Sequence, residues 1–147
     1  MSISTPIPGA SRADGHLYKG LAPSELFSLE GKVALVTGGA GGIALGLAQG
    51  FAAAGARLIL CDFSDKVHER VREFREAGCD AHGLVFDVTD PKAVAAAFEQ
   101  AVALCGRIDI CVNNAGVIVR THFLDLTPEE WQKVIDTDLT ACFLVAQ

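Results

Sequence analysis

Long apolar runs, a basic surplus and a regular cysteine framework are all missing from this sequence. No apolar stretch approaches the roughly 20 residues that a membrane-spanning helix needs. The first residues carry Ser2, Ser4, Pro6, Pro8, Gly9, Ser11 and Gly15 instead of an apolar core, so they do not read as a secretory signal. A mobile tail over residues 1–25 is expected. Lysine and arginine number 12 against 18 aspartates and glutamates, a formal net charge of -6. A nucleic-acid partner would need a basic face to displace counterions, and an anionic membrane would need the same sign, so neither partner is expected. The five cysteines are odd in number, and no two form a C-x-x-C pair. Cys61 and Cys111 lie inside apolar, strand-like runs and read as reduced core thiols of a cytoplasmic protein. His16, His68, His82 and His122 have no metal-ligand spacing, so no metal is expected.

What is present is a core. Half of the 147 residues are hydrophobic, enough for one domain, placed at residues 26–147. Short runs rich in Val, Ile and Leu occur at Lys32–Thr37, Arg57–Cys61, Ala81–Phe86 and Ile108–Asn113. They suit strands buried on both faces of a parallel sheet. Helical spacing separates them. Gly42–Ala54 presents Ile43, Leu47, Phe51 and Ala54, and Pro91–Cys105 presents Val94, Phe98, Ala101 and Cys105. Asp90 before Pro91 is an N-cap signal, Thr127-Pro128 with Glu130 is a capping box, and Ser64 is a candidate cap for a helix ended by Gly78. The order β-α-β-α-β-α-β-loop-α predicts an α/β fold with an open, doubly wound parallel sheet. The domain is expected to be incomplete at Gln147, after the fourth strand and the helix that follows it.

The first strand runs into Thr37-Gly38-Gly39-Ala40-Gly41-Gly42-Ile43-Ala44 and then a helix. Such a turn brings backbone N–H groups close to a pyrophosphate, and the helix N-terminus adds orphan donors and partial positive charge. Two parses are possible, Gly39-x-Gly41-x-x-Ala44 and Gly38-x-x-x-Gly42-x-Ala44. Asp62 ends the second strand about 20 residues on, where a carboxylate can accept both ribose hydroxyls of NAD. It would repel the 2′-phosphate of NADP, and the turn offers no Arg or Lys to hold that phosphate. The reading is therefore NAD preferred over NADP, with Phe63 beside Asp62 in the same site. A carboxylate that merely caps a strand end is the simpler alternative.

From the third strand onward the sequence resembles the short-chain dehydrogenase/reductase family, over roughly Phe27 to Gln147. Asp87-Val88 follows the third strand, where the family's acidic residue contacts adenine. Asn113-Asn114-Ala115-Gly116 follows the fourth, where the family stabilises the sheet and lines the cofactor site. The resemblance implies a Rossmann-type fold and selects the parse through Gly38, Gly42 and Ala44. It implies cofactor contacts from Thr37, Gly38, Gly42, Ile43, Ala44, Asp62, Phe63, Asp87, Val88, Asn113, Ala115 and Gly116. Phe27–Lys32, Asn113–Ile118 and Val134–Leu139 look like the branch with gluconate 5-dehydrogenase and 2-deoxygluconate 3-dehydrogenase. That implies a small-molecule substrate of the polyol or sugar-acid class. Arg120 then becomes a candidate to hold its carboxylate by a bidentate contact, or else a solvated arginine.

The family's hydride transfer uses a serine, a Tyr-x-x-x-Lys pair and an asparagine. The only tyrosine here is Tyr18, with no lysine four residues after it. The asparagine place holds Asp138, a candidate catalytic residue or a plain helix-surface carboxylate. The 147-residue chain is therefore expected to bind cofactor weakly and to be inactive alone, while a complete chain would be a homo-oligomeric oxidoreductase. A non-catalytic nucleotide-binding or interaction module is the rival reading. A methyltransferase on a related sheet is disfavoured, since that chemistry has no need of Asn113–Gly116. The helix from Pro128 carries Trp131, Val134, Ile135, Leu139, Cys142 and Phe143, a face expected to be largely exposed here.

Overall fold

The computed structural model describes residues 22–147. Most of the expected tail, Tyr18 included, lies outside the described residues. At its end Pro23–Leu26 makes one helical turn, α1. Four strands follow in sequence: β1 (Val33–Thr37), β2 (Arg57–Asp62), β3 (Ala81–Val85) and β4 (Ile110–Val112). Between them lie α2 (Gly42–Ala53), α3 (Val67–Glu76) and α4 (Pro91–Cys105). All pairings are parallel, in the order β3-β2-β1-β4. Crossovers therefore run outward in both directions from β1, and the order reverses there. Ligands of open α/β sheets bind at the strand C-termini beside such a reversal.

Strand periodicity explains the two cores. On β1, Ala34 and Val36 face a layer with Ala44, Ala48, Val67, Val71 and Phe74. Val33 and Leu35 face the other layer, with Val94, Ala97, Ala101 and Val145. Successive side chains alternate faces, so a strand buried on both must be apolar throughout. Cys61 belongs to the second layer, and burial raises its thiol pKa, leaving it an inert core group.

Local signals set the helix ends. Asp90 accepts from Lys92 N–H and Ala93 N–H, with Pro91 opening α4 and Gly106 closing it at φ 79°. Thr127 and Glu130 form the reciprocal capping box of α5 (Pro128–Ile135). The ladder then widens into a π-helical segment, Asp136–Thr140, before α6 (Ala141–Ala146). Within this stretch the Thr137 hydroxyl donates to Lys133 C=O and the Cys142 thiol to Asp138 C=O, so side chains draw on ladder acceptors.

Two expectations are corrected, the first in part. Phe51 packs on the core as expected, but the fully buried residues of α2 are Ala44 and Ala48, while Ile43 is 77% exposed and Leu47 38%. Alanines let the helix approach the sheet closely, and that turns the larger Ile43 toward the strand ends. Ser64 Oγ accepts from Lys66 N–H at 3.4 Å, as a capping side chain does, and Ser64 C=O accepts from Val67 N–H at 3.2 Å, while the regular ladder of α3 begins two residues later than a Ser64 cap implies, at Val67. Cys111 is exposed, because β4 is three residues long and is paired on one side only. The face through Trp131, Leu139 and Phe143 is exposed as expected. Among the described residues no helix is long and apolar enough to cross a membrane.

Candidate functional site

At the C-terminal ends of the strands lies an open cleft of about 1340 Å³. The glycine turn forms its floor, and three of its glycines, Gly38, Gly39 and Gly42, have separate reasons to be there. Gly38 has φ +70°, and a Cβ would meet Asn114 Nδ2 at 2.9 Å and Ala115 Cα at 3.1 Å. Gly39 donates its N–H to Cys61 C=O at 2.8 Å, and a Cβ would sit 2.9 Å from Leu60 Cβ. Gly42 opens α2 at φ +60° with nothing within 4 Å of a Cβ. No side chain caps this helix, so its first N–H groups face the cleft as anion donors.

Asp62 ties the turn to β2. One carboxylate oxygen accepts from Ala40 N–H at 2.9 Å and the other from Ser64 N–H at 3.0 Å. Its remaining lone pairs are available to further donors in the cleft. Asp87 is organised differently, as an Asx turn accepting from Thr89 N–H and Thr89 Oγ1. Thr37 clips β1 to the turn after β4. Its hydroxyl oxygen accepts from Asn114 N–H and Ala115 N–H, each at 3.0 Å, and donates to Val112 C=O at 3.3 Å. Asn114 returns a bond from Nδ2 to Thr37 C=O at 3.0 Å.

The cleft brings together Gly38, Gly42, Ile43, Asp62, Phe63, Asp87, Val88, Ala115, Gly116 and Arg120. Ile43 and Phe63 are 77% and 79% exposed, which leaves apolar surface on its rim for a flat ring. The other expected site residues stand outside the lining. Thr37 is buried as the clip, Ala44 packs in the core, and Asn113 is exposed beside the cleft. Asp138 sits behind Gly116. It accepts from Val117 N–H at 2.8 Å, and a Cβ on Gly116 would come within 3.3 Å of its carboxylate.

Asn114 of the Asn113–Gly116 run lines the cleft too, and residues that sequence reasoning missed join it: Phe86, Thr89 and a polar face of α5 and its extension. That face is Glu129, Gln132, Lys133, Asp136 and Thr137, a helical spacing of polar residues opposite the apolar stripe. The spacing was visible in sequence, but nothing there placed it in the same cleft as the glycine turn.

A parallel sheet with reversed order, a glycine turn feeding an uncapped helix and an acid ending β2 define a dinucleotide-binding α/β protein. The chain belongs to the short chain dehydrogenase family, whose model matches residues 32–147. It is 37% identical over 125 residues to the 2-dehydro-3-deoxy-D-gluconate 5-dehydrogenase of Formosa agariphila, covering 84% of this chain and 47% of that protein. Among solved structures it resembles a gluconate 5-dehydrogenase from Burkholderia cenocepacia in complex with NADP and tartrate, with TM-score 0.78 and 40% identity, covering 82% of this chain and 48% of the other. It also resembles a 3-ketoacyl-(acyl-carrier-protein) reductase from Brucella melitensis complexed with NADH, with TM-score 0.74 and 35% identity, covering 81% and 48%. The chain spans about half the length of the curated relatives it matches.

Proposed function

We propose that this chain is the cofactor-binding half of a nicotinamide-dependent oxidoreductase that moves hydride between the cofactor and a secondary alcohol or ketone. The observation that carries the reading is the Asp62 carboxylate, held by Ala40 N–H beside the open N-terminus of α2. The pyrophosphate would rest on the α2 N–H groups, the adenosine ribose on Asp62, and adenine between Phe63 and the Asp87-Val88 turn. Bound there, the cofactor supplies the hydride donor or acceptor. The chain's own residues bind and orient its adenosine and pyrophosphate portion.

NAD is the preferred cofactor in this reading. The acids lining the cleft are Asp62, Asp87, Glu129 and Asp136, while its cations, Arg120 and Lys133, lie beyond the β4 turn and on α5. A 2′-phosphate at Asp62 would meet a carboxylate at close range with no cation from the glycine turn. Equilibrium titration with NADH and NADPH, followed by nucleotide fluorescence, tests the preference. Tighter NADPH binding would overturn it.

The proposed substrate is a polyol or sugar acid such as gluconate, with Arg120 on its carboxylate. In a complete enzyme, Arg120→Ala is expected to raise KM for gluconate-type substrates, and an unchanged KM would remove Arg120 from the site. The chain holds no Tyr-x-x-x-Lys, so the 147-residue chain is expected to show no turnover. Family membership favours this reading over a non-catalytic binding module.

A further inference from the structure

Strand β3 is the outer strand on its side of the sheet, and its free edge lies in a groove between α3 and α4. The groove is open to solvent, has a volume of about 470 Å³ and shares no lining residue with the cleft at the strand ends. We propose that it binds the phosphate group of a small phosphorylated metabolite, as a site separate from the cofactor cleft.

The donors converge from three elements. His68, Arg72 and Arg75 come from α3, His82 from β3 and Gln100 from α4. No carboxylate lines the groove among the described residues. In a chain of net charge -6 this is a local inversion of sign. Asp80 holds Arg57 at 2.5 Å and also His82 Nε2 at 3.1 Å, so of the His82 ring only Nδ1 is left for a ligand, and Glu73 holds Arg70 at 2.6 Å. Arg72 has no acidic partner within salt-bridge distance among the described residues, and the one hydrogen bond there from the Arg75 guanidinium is Nε to Ala81 C=O at 2.7 Å. Two guanidinium groups therefore keep free donors that suit a phosphate's several acceptor oxygens.

The backbone adds to them. Leu58 N–H donates to Asp80 C=O and Phe86 N–H to Asp62 C=O, each at 2.9 Å. In a parallel ladder this turns the peptide groups of residues 80, 82, 84 and 86 toward β2, and those of 81, 83 and 85 outward. The bond from Arg75 to Ala81 C=O agrees with that alternation. Gly83 N–H then faces the groove. Gly83 also lets α3 close over the edge, since a Cβ there would meet His68 Nδ1 and Val71 Cγ2, each at 3.1 Å.

The volume selects the ligand class. A water occupies about 30 Å³ and a phosphate ion only a few times that, so the groove has room for an attached organic group. Leu104, 44% exposed, supplies apolar surface for it.

The test is an amide and histidine-ring NMR titration of the chain with inorganic phosphate, glucose 6-phosphate and glucose. Saturable shifts at Gly83, His68 and His82 are expected with both phosphates, tighter with glucose 6-phosphate, and none with glucose. Arg72 is exposed, so Arg72→Ala should fold normally, checked by an unchanged thermal midpoint. It should weaken binding about tenfold or more, the loss of a charged hydrogen-bond donor. Arg72→Lys should recover part of the loss. Non-saturating shifts, shifts confined to Gly41 and Gly42, or equal affinity in Arg72→Ala would each overturn the proposal.

Discussion

Alanine at Gly38 and alanine at Gly42 impose the same backbone strain but meet different surroundings. Both glycines sit in the left-handed region, at φ +70° and +60°. There an L-residue costs about 1–2 kcal/mol. Alanine also restricts the unfolded chain, which returns about 0.4–1 kcal/mol. Those two contributions leave Gly42→Ala near 1 kcal/mol destabilising, because nothing lies within 4 Å of its Cβ. At Gly38 the Cβ would lie 2.9 Å from Asn114 Nδ2 and 3.1 Å from Ala115 Cα. Asn114 cannot swing away freely, since that nitrogen is bonded to Thr37 C=O at 3.0 Å. Overpacking of this kind adds about 1–3 kcal/mol, bringing Gly38→Ala to roughly 3 kcal/mol. At about 3 °C per kcal/mol for a chain of this size, the thermal midpoints should fall by about 3 °C and 9 °C respectively. Thermal melts of the two variants beside the parent, under one buffer condition, measure the gap. Equal losses, or a larger loss at Gly42, would refute the argument that close approach of the β4 turn is what requires glycine at position 38.

Other perturbations probe the same framework. Thr37→Val keeps the shape but strands the N–H groups of Asn114 and Ala115, so a loss of about 2–4 kcal/mol is expected in urea unfolding. Thr127→Ala removes the capping box of α5 and should cost about 1 kcal/mol by the same measurement. Asp109 accepts from Val33 N–H at 2.9 Å and pairs with Arg107 and Lys32, and these contacts lower its pKa, the backbone bond foremost. A lowered folded pKa means that the unfolded state binds the proton more readily. The contribution is therefore complete above the unfolded value near 4 and is lost as pH falls through the lower folded value. Asp109→Asn should flatten the acid limb of stability against pH in that window, and an unchanged limb would contradict the assignment.

Much of the architecture was legible because local chemistry and fold agreed. The runs at Lys32–Thr37 and Arg57–Cys61 had to be strands buried on both faces. Asp90-Pro91 and Thr127-Pro128 marked helix starts that the structure shows with their capping bonds in place. The acid at position 62 was identifiable by its distance from the glycines. Its bond to Ala40 N–H was not, because it joins residues 22 apart across two elements. The facing of α2 was misread for a related reason. Ile43 and Leu47 have the right spacing for a core face, but helix–sheet closeness favoured the alanines instead. Periodicity registers where apolar residues recur, and it carries no measure of how near the partner surface lies.

The sequence alone determined the alternation of strands and helices, the glycine turn, the order of the motifs and the absence of a Tyr-x-x-x-Lys. These are properties of neighbouring residues, and short-range sterics and burial settle them. Only the tertiary structure decided that the polar face of α5 lines the same cleft as the glycine turn, that Asp138 braces Val117 from behind Gly116, and that Cys111 is exposed. It also decided that Arg72 and Arg75 of α3 and His82 of β3 converge with Gln100 of α4 on the edge of β3. Each of these depends on which segments become neighbours when the two cores form. That outcome belongs to the packing of the whole sheet rather than to any one window of sequence.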